Sequence, residues 1–391
     1  MIVTPLSDRA PAAIRDALLS HGWEGEVCRL TASGLETSSF HVTGIASTMI
    51  EAMLPVANKL GLEMVTGEDW IILTGARSRL GAFARPWVQP EAVRDLAQAI
   101  GMAMPADFPV LWRHARGALS LESPVLMGIL NVTPDSFSDG GTATDEPAVL
   151  RRVEALLAGG AGVIDLGGES TAPFAPPVPL DVEMARVLPA ITAIVREHPD
   201  VLISVDTVKH EVAEAALGVG AAIVNDVTAG RHDLQLLSVA ARHKAGVVLS
   251  HSRGDVGRLA SYDAAEYDGD VAGHVTRELD ASRATALAAG IPMEAIVLDP
   301  GFGFAKHPDQ NIALLDQVGA LVALGSPVLI GASRKRFLGE VTGRALADRD
   351  RATAAACALS LDRGARLFRV HDPEATRDAL AVAEALWRSR R

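Results

Sequence analysis

The chain has 391 residues, of which 49% are hydrophobic and 21% are charged, and its formal net charge is -12. The length exceeds the roughly 250 residues of a typical eightfold α/β barrel, which leaves room for a second domain. The acidic balance argues against a general nucleic-acid or anionic-membrane surface, because both require a basic face.

The two cysteines, Cys28 and Cys357, lie far apart and lack the spacing of a metal site or a disulfide framework. No run approaches the roughly 18 apolar residues of a membrane span, and the first residues lack the pattern of a signal peptide. We therefore expect a cytoplasmic protein without membrane or nucleic-acid partners.

Residues 1–108 predict a small α+β domain. Apolar runs predict strands at 26–30, 62–65 and 70–73, and helical spacing predicts helices at 46–60 and 90–102. The Pro-containing stretch 104–109 is typical of a linker. We place the domain boundary there, with a second domain at 109–391.

The second domain repeats one pattern eight times: a short run rich in Val, Ile and Leu, a polar residue, and a stretch with helical spacing. The predicted strands lie at 125–130, 163–166, 201–205, 221–224, 247–249, 296–298, 328–330 and 367–368. The predicted helices lie at 147–157, 182–197, 209–217, 234–243, 264–289, 309–324, 349–363 and 373–388. Such runs suit parallel strands buried on both faces, so the pattern predicts a TIM (β/α)8 barrel, closed at its bottom by a hairpin at 115–123.

Polar side chains follow the predicted strands, where a barrel of this type gathers them into one mouth. They are Asn131, Asp206, Asn225, His251, Asp299, Lys335, Arg369 and His371. Any one of them could instead cap the following helix. Eight in phase predict an active site.

Longer motifs surround these residues. They are a polar, glycine-rich loop at 131–141, Gly167–Thr171 (GGEST), Ser204–Thr207 (SVDT), Asn225–Asp226, Asp299–Phe304 (DPGFGF), Ser333–Lys335 and Arg369–Asp372. In this order, from about residue 115 to the C-terminus, the chain resembles the dihydropteroate synthase family.

The resemblance implies a transferase of folate biosynthesis that acts as a cytoplasmic homodimer with Mg²⁺. The expected reaction condenses 6-hydroxymethyl-7,8-dihydropterin pyrophosphate with p-aminobenzoate and releases 7,8-dihydropteroate and pyrophosphate. A polyanionic leaving group needs charge neutralisation more than protonation, which agrees with a site that is rich in donors and has no Ser-His-Asp arrangement.

The resemblance also implies roles for individual residues. The expected catalytic residues are Asn131, Asp135, Thr171 and Lys335. Pterin contacts are expected from Asp206, Asn225, Asp299 and Lys335. Pyrophosphate contacts are expected from Asn131, Arg369 and His371, with Asn131 also near Mg²⁺. The arylamine pocket is expected to include Thr171, Phe302, Phe304 and Arg336.

The chain departs from the family pattern around the second substrate. Ala172 stands where the family usually has an arginine, and Arg336 stands where a serine is common. His251 is flanked by Ser250 and Ser252, where methionines are frequent. The identity of the arylamine therefore stays open.

Three alternatives remain at this stage. The first is the same condensation with a larger arylamine, such as the ribofuranosylaminobenzene phosphate of methanopterin-type cofactors. The second is a pterin-binding barrel that transfers a methyl group to a corrinoid, although such a barrel does not need the cations at Lys335 and Arg369. The third is a non-catalytic pterin-binding protein.

Overall fold

A computed structural model describes residues 2–6, 37–84, 88–103, 111–133, 145–169 and 177–389. The chain divides into two compact units, Met1–Ala106 and Asp107–Arg391. No helix in the described ranges combines the length and hydropathy needed to cross a membrane.

The first unit contains one antiparallel sheet with helices. Its strands are β1 (Ile2–Leu6), β2 (Thr37–Thr43), β3 (Glu63–Thr66) and β4 (Trp70–Ala76), in the order β1-β2-β4-β3. Its helices are α1 (Ser47–Leu60), α2 (Arg77–Phe83) and α3 (Arg94–Ala103). The predicted elements at 46–60, 62–65, 70–73 and 90–102 are confirmed, whereas the predicted strand at 26–30 lies outside the described residues.

Apolar side chains of β2 and β4 pack with the three helices in one core. Phe40 and Val42 of β2 point into this core, as do Ile71 and Leu73 of β4. The alternation follows from the pleat of a strand, whose successive side chains face opposite sides of the sheet. The first unit is therefore the small α+β domain that the sequence predicted.

The second unit begins with a hairpin of β5 (Leu111–His114) and β6 (Gly117–Ser120). Trp112 of β5 is fully buried among the side chains that fill the barrel, and its Nε1 donates to the carbonyl of Ala295 at 3.0 Å. The hairpin thus closes the bottom of the barrel as expected, although it starts four residues before the predicted range.

Eight parallel strands form the barrel. They are β7 (Val125–Asn131), β8 (Ala161–Gly167), β9 (Leu202–Asp206), β10 (Ile223–Asp226), β11 (Gly246–Ser250), β12 (Ile296–Asp299), β13 (Leu329–Ile330) and β14 (Leu367–Val370). The sheet runs from β12 back to β7 and on through β14 to β13. A parallel bridge between Leu298 and Val328 joins its two ends. The predicted TIM barrel is confirmed.

Helices surround the strands. They are α4 (Glu146–Ala158), α5 (Leu180–Glu197), α6 (His210–Gly218), α7 (Gln235–Arg242), α8 (Val271–Ala288), α9 (Pro308–Asp316), α10 (Val318–Val322), α11 (Arg336–Thr342), α12 (Asp350–Asp362) and α13 (Pro373–Ser389). Two predictions need correction. Helix α8 starts seven residues later than predicted, at an Asp270 cap that accepts from the Gly273 amide at 2.9 Å, and the predicted helix at 309–324 is split into α9 and α10 at Gln317.

Candidate active site

Alternate side chains of each barrel strand point into the barrel, because successive residues of a strand face opposite sides of the sheet. Near the start of the strands these inward residues are apolar and form one buried cluster, with Met127, Val163, Leu202, Ile223, Val248, Val297, Leu329 and Leu367. Two residues further along, the inward positions are mostly polar, and they include Asp165, Ser204, Asn225, Ser250, Asp299 and Arg369. The barrel therefore has an apolar floor and a polar mouth.

Arg369 lies at the centre of this mouth, between two carboxylates. Its Nε donates to Asp165 Oδ2 at 2.5 Å, and its Nη2 donates to Asp206 Oδ2 at 2.6 Å. Burial raises the pKa of Asp206 to about 7, against the opposing effect of Arg369. Although burial works against its charge, the two carboxylates hold the pKa of Arg369 above its usual value. Arg369 therefore stays positively charged, whereas Asp206 is protonated more readily than an ordinary carboxylate.

Asn225 belongs to the same group. Its Nδ2 donates to Asp165 Oδ2 at 3.1 Å, and Asn225 pairs in register with Asp206 on the neighbouring strand. Its other amide atom, Oδ1, is buried and has no hydrogen-bond partner within the described ranges. The orientation of the amide thus leaves an acceptor in need of a donor.

Asp299, at the end of β12, is held by two donors. The Gly301 amide donates to Oδ1 at 2.8 Å, and the Ser250 hydroxyl donates to Oδ2 at 2.8 Å. Burial raises the pKa of Asp299, whereas these two hydrogen bonds lower it. A Cβ atom at Gly331 would lie only 3.3 Å from Oδ2, so the glycine keeps this carboxylate approachable.

Lys335 follows β13 and points across the mouth. Its Nζ lies 4.0 Å from the centre of the Phe304 ring, a cation–π contact. Burial, together with the charge of Arg369, lowers the pKa of Lys335 to about 8. A Cβ atom at Gly303 would lie 2.9 Å from Lys335 Cδ, so the glycine allows this lysine to pass.

His371 and Ser333 form a pair next to Arg369. The His371 main-chain amide donates to Ser333 Oγ at 3.1 Å, and the Ser333 hydroxyl lies 2.9 Å from His371 Nδ1. The Ser333 hydroxyl can donate to Nδ1 or accept from it, according to which ring nitrogen carries the hydrogen. Burial lowers the pKa of His371 to about 3. The His371 imidazole is therefore neutral at neutral pH.

Asn131 ends β7 on the rim of the mouth, where it is exposed. A Cβ atom at Gly167 would lie 3.7 Å from both Asn131 Oδ1 and Asp206 Oδ2. The two oxygens therefore border one gap that the glycine leaves open. Two further predicted residues, Asp135 and Thr171, lie outside the described residues.

The two predicted aromatic residues differ in position. Phe304 carries the contact with Lys335, but Phe302 is fully buried and stacks on Phe337, with ring centres 5.9 Å apart. Phe302 therefore packs in the core behind the mouth, whereas the family resemblance implied a place in the arylamine pocket. Gly301 and Gly303 adopt positive φ angles of 67° and 78°, so the alternation of a regular strand does not apply to this loop.

Arg336 is the first residue of α11 and is half-exposed. Its guanidinium lies over the Tyr262 ring, 3.9 Å from the centre, and its Nε lies 3.5 Å from Glu340 Oε1. Arg336 follows Lys335 in the sequence, but its side chain turns toward Tyr262.

A buried lysine that the sequence analysis did not consider supports the Asp299–Phe304 loop. Lys306 Nζ donates to the carbonyls of Gly301 and Phe304 at 3.0 and 3.1 Å, and it lies 3.0 Å from His251 Nδ1. Three acceptors match the three hydrogens of an ammonium group, even though burial lowers the pKa of Lys306 to about 7. On its other side, His251 Nε2 lies 3.0 Å from Glu278 Oε2. His251 therefore supports the loop and does not enter the mouth.

A second buried ion cluster flanks the segment at 170–176. Lys209 donates to Glu169 Oε2 at 2.6 Å and pairs with the fully buried Glu183. Glu169 Oε1 accepts from the Val178 amide at 3.0 Å, and Glu183 accepts from the Thr207 hydroxyl at 2.7 Å. The cluster therefore connects Glu169 and Val178, on either side of residues 170–176, to Thr207 and Lys209, which follow β9.

The sequence analysis missed Asp165 and Ser250. Asp165 is the single charged residue inside the apolar run of β8, and Ser250 occupies an inward position of β11. The signal was available in the strand alternation, because Asp165 lies two residues before Gly167 and two after Val163. Asp165 lies inside β8 and not at its end, so a search limited to strand ends does not include it.

Comparisons with known proteins agree with this geometry. The family model described as "Pterin binding enzyme" matches residues 127–371. Dihydropteroate synthase from a Synechocystis species is 42% identical over 264 residues, which are 67% of this chain and 90% of that protein. The synthase from Streptococcus pyogenes serotype M3 is 44% identical over 264 residues, covering 67% of this chain and 95% of that protein.

Solved structures of dihydropteroate synthase are also similar. The enzyme from Xanthomonas albilineans with 4-aminobenzoic acid has a TM-score of 0.65 at 43% identity, covering 70% of this chain and 97% of that one. The enzyme from Thermus thermophilus in complex with 4-aminobenzoate has a TM-score of 0.62 at 42% identity, covering 71% of this chain and 99% of that one.

Proposed function

The chain belongs to the dihydropteroate synthase family of pterin-binding enzymes, which are transferases, and we propose that it joins 6-hydroxymethyl-7,8-dihydropterin pyrophosphate to p-aminobenzoate. The products are 7,8-dihydropteroate and pyrophosphate. In this reaction the bond between the pterin methylene carbon and the pyrophosphate oxygen breaks, the amine nitrogen bonds to that carbon, and the amine loses a proton.

The observation that carries the proposal is the row of buried acceptors in the mouth. Asp206, Asn225 and Asp299 offer carboxylate and amide oxygens, and Asn225 Oδ1 has no donor within the described part of the chain. A pterin edge carries several N–H groups, so it complements this row. Buried polar groups are rarely left without partners, and a donor-rich ring satisfies these.

The leaving group is polyanionic, and the site offers it donors. Arg369 is a permanent cation, and His371 would present Nε2–H with the Ser333 hydroxyl donating to its Nδ1. Lys335 carries a further cation at the mouth. Preorganised donors of this kind stabilise the charge that develops on a departing oxygen.

Asn131 is the residue that would hold Mg²⁺. Its amide oxygen is the type of ligand that Mg²⁺ prefers, and this ion commonly takes only one or two protein ligands and completes its shell with substrate phosphates and water. The gap beside Gly167 is open toward Asn131 Oδ1, so the residues fit the ion. When bound, Mg²⁺ would neutralise charge on the pyrophosphate.

The second substrate is the part of the proposal that needs a direct assay. The Xanthomonas and Thermus enzymes hold 4-aminobenzoate in their structures, which favours the same acceptor here. Purified protein should be given pterin pyrophosphate with either p-aminobenzoate or ribofuranosylaminobenzene phosphate, and the products should be identified by mass. If only the second amine is converted, that amine and not p-aminobenzoate is the acceptor.

A matched variant shows whether turnover comes from this site. Asp299→Asn preserves the shape of the side chain but removes its charge, so it should lower kcat/KM by about 30-fold to 1000-fold, the equivalent of roughly 2 to 4 kcal/mol. The melting temperature should change little. Arg336→Ser should instead raise only the KM of the arylamine if Arg336 leaves Tyr262 to receive the acceptor's anionic group.

We also propose a cytoplasmic homodimer. Large exposed apolar side chains lie on neighbouring helices α9, α11 and α12 and the turn between the last two, namely Ile312, Val341, Leu346 and Leu359. Exposed apolar patches mark interaction sites. Leu346→Glu should convert a dimer to a monomer in analytical ultracentrifugation, whereas Leu234→Glu, an exposed leucine on another side of the barrel, should not.

A further inference from the structure

Asp165 is the most deeply buried carboxylate in the mouth, with no exposed side-chain surface. One of its oxygens, Oδ2, accepts two hydrogen bonds, from Arg369 Nε at 2.5 Å and from Asn225 Nδ2 at 3.1 Å. Asp165 therefore contacts one residue from the anion side of the mouth and one from the pterin side.

The contact with Asn225 decides which way its amide faces. Because Nδ2 is occupied by Asp165, Oδ1 is the atom left without a partner in the described region. A flipped amide would place an oxygen against the Asp165 carboxylate, where two acceptors repel. Asp165 thus keeps Asn225 in the orientation that accepts a hydrogen bond from a ligand.

The contact with Arg369 decides where its guanidinium points. Nε is occupied by Asp165 and Nη2 by Asp206, so the plane of the guanidinium is fixed at two of its corners. A planar group held in this way keeps its remaining N–H groups in a fixed direction. Without Asp165, Arg369 would be tied only to Asp206.

We infer that Asp165 is a positioning residue that orients the pterin-binding Asn225 and the anion-binding Arg369 at the same time. This inference rests on the proposed function, because it assigns Asn225 and Arg369 to the two halves of one substrate. It goes further in making a single buried carboxylate common to both halves. Removal of Asp165 should therefore weaken recognition of two chemically unrelated ligands.

The test measures those ligands separately by isothermal titration calorimetry. The wild type and Asp165→Asn are titrated with pyrophosphate, with unphosphorylated 6-hydroxymethylpterin and with pterin pyrophosphate. Asp165→Asn should lose about tenfold or more in affinity for each of the first two. Asn225→Ala should lose affinity for the pterin only.

Ser204→Ala is the matched control. Ser204 lies on β9, is buried and pairs in register with Asp165 of β8. Its hydroxyl has no hydrogen-bond partner in the described ranges. Its removal should leave both affinities within about twofold. Equal losses in Ser204→Ala and Asp165→Asn would assign the effect to general disturbance of this layer and would overturn the inference.

A second variant tests the carboxylate itself. Asp165→Ala leaves a space beside Arg369, and added formate should restore affinity for both ligands because it supplies the missing carboxylate. Restoration of only one ligand, or of neither, would contradict a shared role. The melting temperature of each variant shows whether it is folded, and so distinguishes unfolding from a change in the orientation of Asn225 and Arg369.

One measurement needs no variant. In NMR spectra of the wild type, the Arg369 Nε proton should exchange slowly with water both before and after pyrophosphate is added, because Asp165 holds it. Rapid exchange in either state would overturn the inference even if both variants failed to fold. If the wild type binds none of the ligands, the proposed function fails; if it binds them and Asp165→Asn binds equally well, only the role of Asp165 fails.

Discussion

Replacement of Ser250 with alanine should weaken pterin binding through Asp299. The Ser250 hydroxyl donates to Asp299 Oδ2 at 2.8 Å, and the two residues are 1% and 5% exposed. Water therefore cannot easily take the place of this hydroxyl. A hydrogen bond to a charged group contributes roughly 1.5 to 3 kcal/mol, and about 1.4 kcal/mol corresponds to a tenfold change in affinity. We expect the KM for pterin pyrophosphate to rise about tenfold, with the KM for p-aminobenzoate unchanged.

The pH dependence gives the prediction a second readout. Burial raises the pKa of Asp299, and the Ser250 hydrogen bond lowers it by stabilising the charged form. Loss of this bond should raise the pKa of Asp299 further. Since protonation removes the acceptor that a pterin needs, the defect of Ser250→Ala should grow as the pH is lowered.

Ser204→Ala provides the comparison, because it makes the same chemical change at a buried inward serine without a hydrogen-bond partner in the described ranges. Steady-state kinetics of both variants should be measured between about pH 6 and 9, a range that brackets neutral pH. A Ser250→Ala enzyme with wild-type KM at every pH would refute the role of this hydroxyl. Equal defects in both variants would refute its specificity.

Three further predictions follow from the same contacts. Burial raises the pKa of Asp206 to about 7; the nearby Asp165 and Glu183 also raise this pKa, whereas Arg369 and Lys335 lower it. Pterin affinity should therefore rise above this pH, where Asp206 loses its proton. In calorimetry, the pterin affinity of Asp206→Asn should not show this dependence on pH. Because the pKa of Lys306 falls from 10.5 to about 7 on folding, unfolded chains bind more protons between these values and stability should rise with pH there; Lys306→Met should flatten this slope in denaturant titrations. Residues 108–391 alone should retain condensation activity, because every predicted site residue follows Gly128, and a folded but inactive fragment would show that the first domain is needed.

Much of the barrel was predictable from sequence because its strands are buried on both faces. A strand of this kind is written as a continuous apolar run, and all eight runs match strands of the structure. The first domain was harder. Strand β2 has the sequence TSSFHVT, in which only Phe40 and Val42 enter the core, so its polar face concealed it.

Helix boundaries were missed where backbone conformation, which periodicity does not report, interrupts a helical pattern. The predicted helix from 264 meets Asp268 and Gly269, which have positive φ angles of 45° and 79°, and regular α-helix resumes only after the Asp270 cap. The same limit explains Phe302 in the active site. Glycines with positive φ on both sides turn its ring into the core, which no count along the chain could indicate.

The site residues divide in the same way. Most of the predicted strand-end residues lie in the mouth because a barrel gathers such residues there, although His251 does not. Asp165 and Ser250 lie in the same layer of the mouth as Asn225, Asp299 and Arg369, and only their contacts show that they hold these neighbours. Sequence reasoning therefore located side chains that lie in the mouth but not the hydrogen bonds that connect them.

Buried acceptors of the mouth lower the stability of the free protein when they lack a donor, and a bound ligand should offset this loss. Asp165 Oδ1 and Asn225 Oδ1 are buried acceptors without donors in the described ranges, and an unsatisfied buried group costs roughly 1 to 3 kcal/mol. A ligand that binds only the folded state stabilises it by about 2.7 kcal/mol when its concentration is 100 times its Kd. At matched saturation, pterin and pyrophosphate should each raise the melting temperature, and Asn225→Leu should abolish the shift caused by pterin while keeping the shift caused by pyrophosphate. If Asn225→Leu keeps the pterin shift, Asn225 Oδ1 does not accept from the ligand, and the assignment of Asn225 to the pterin is wrong.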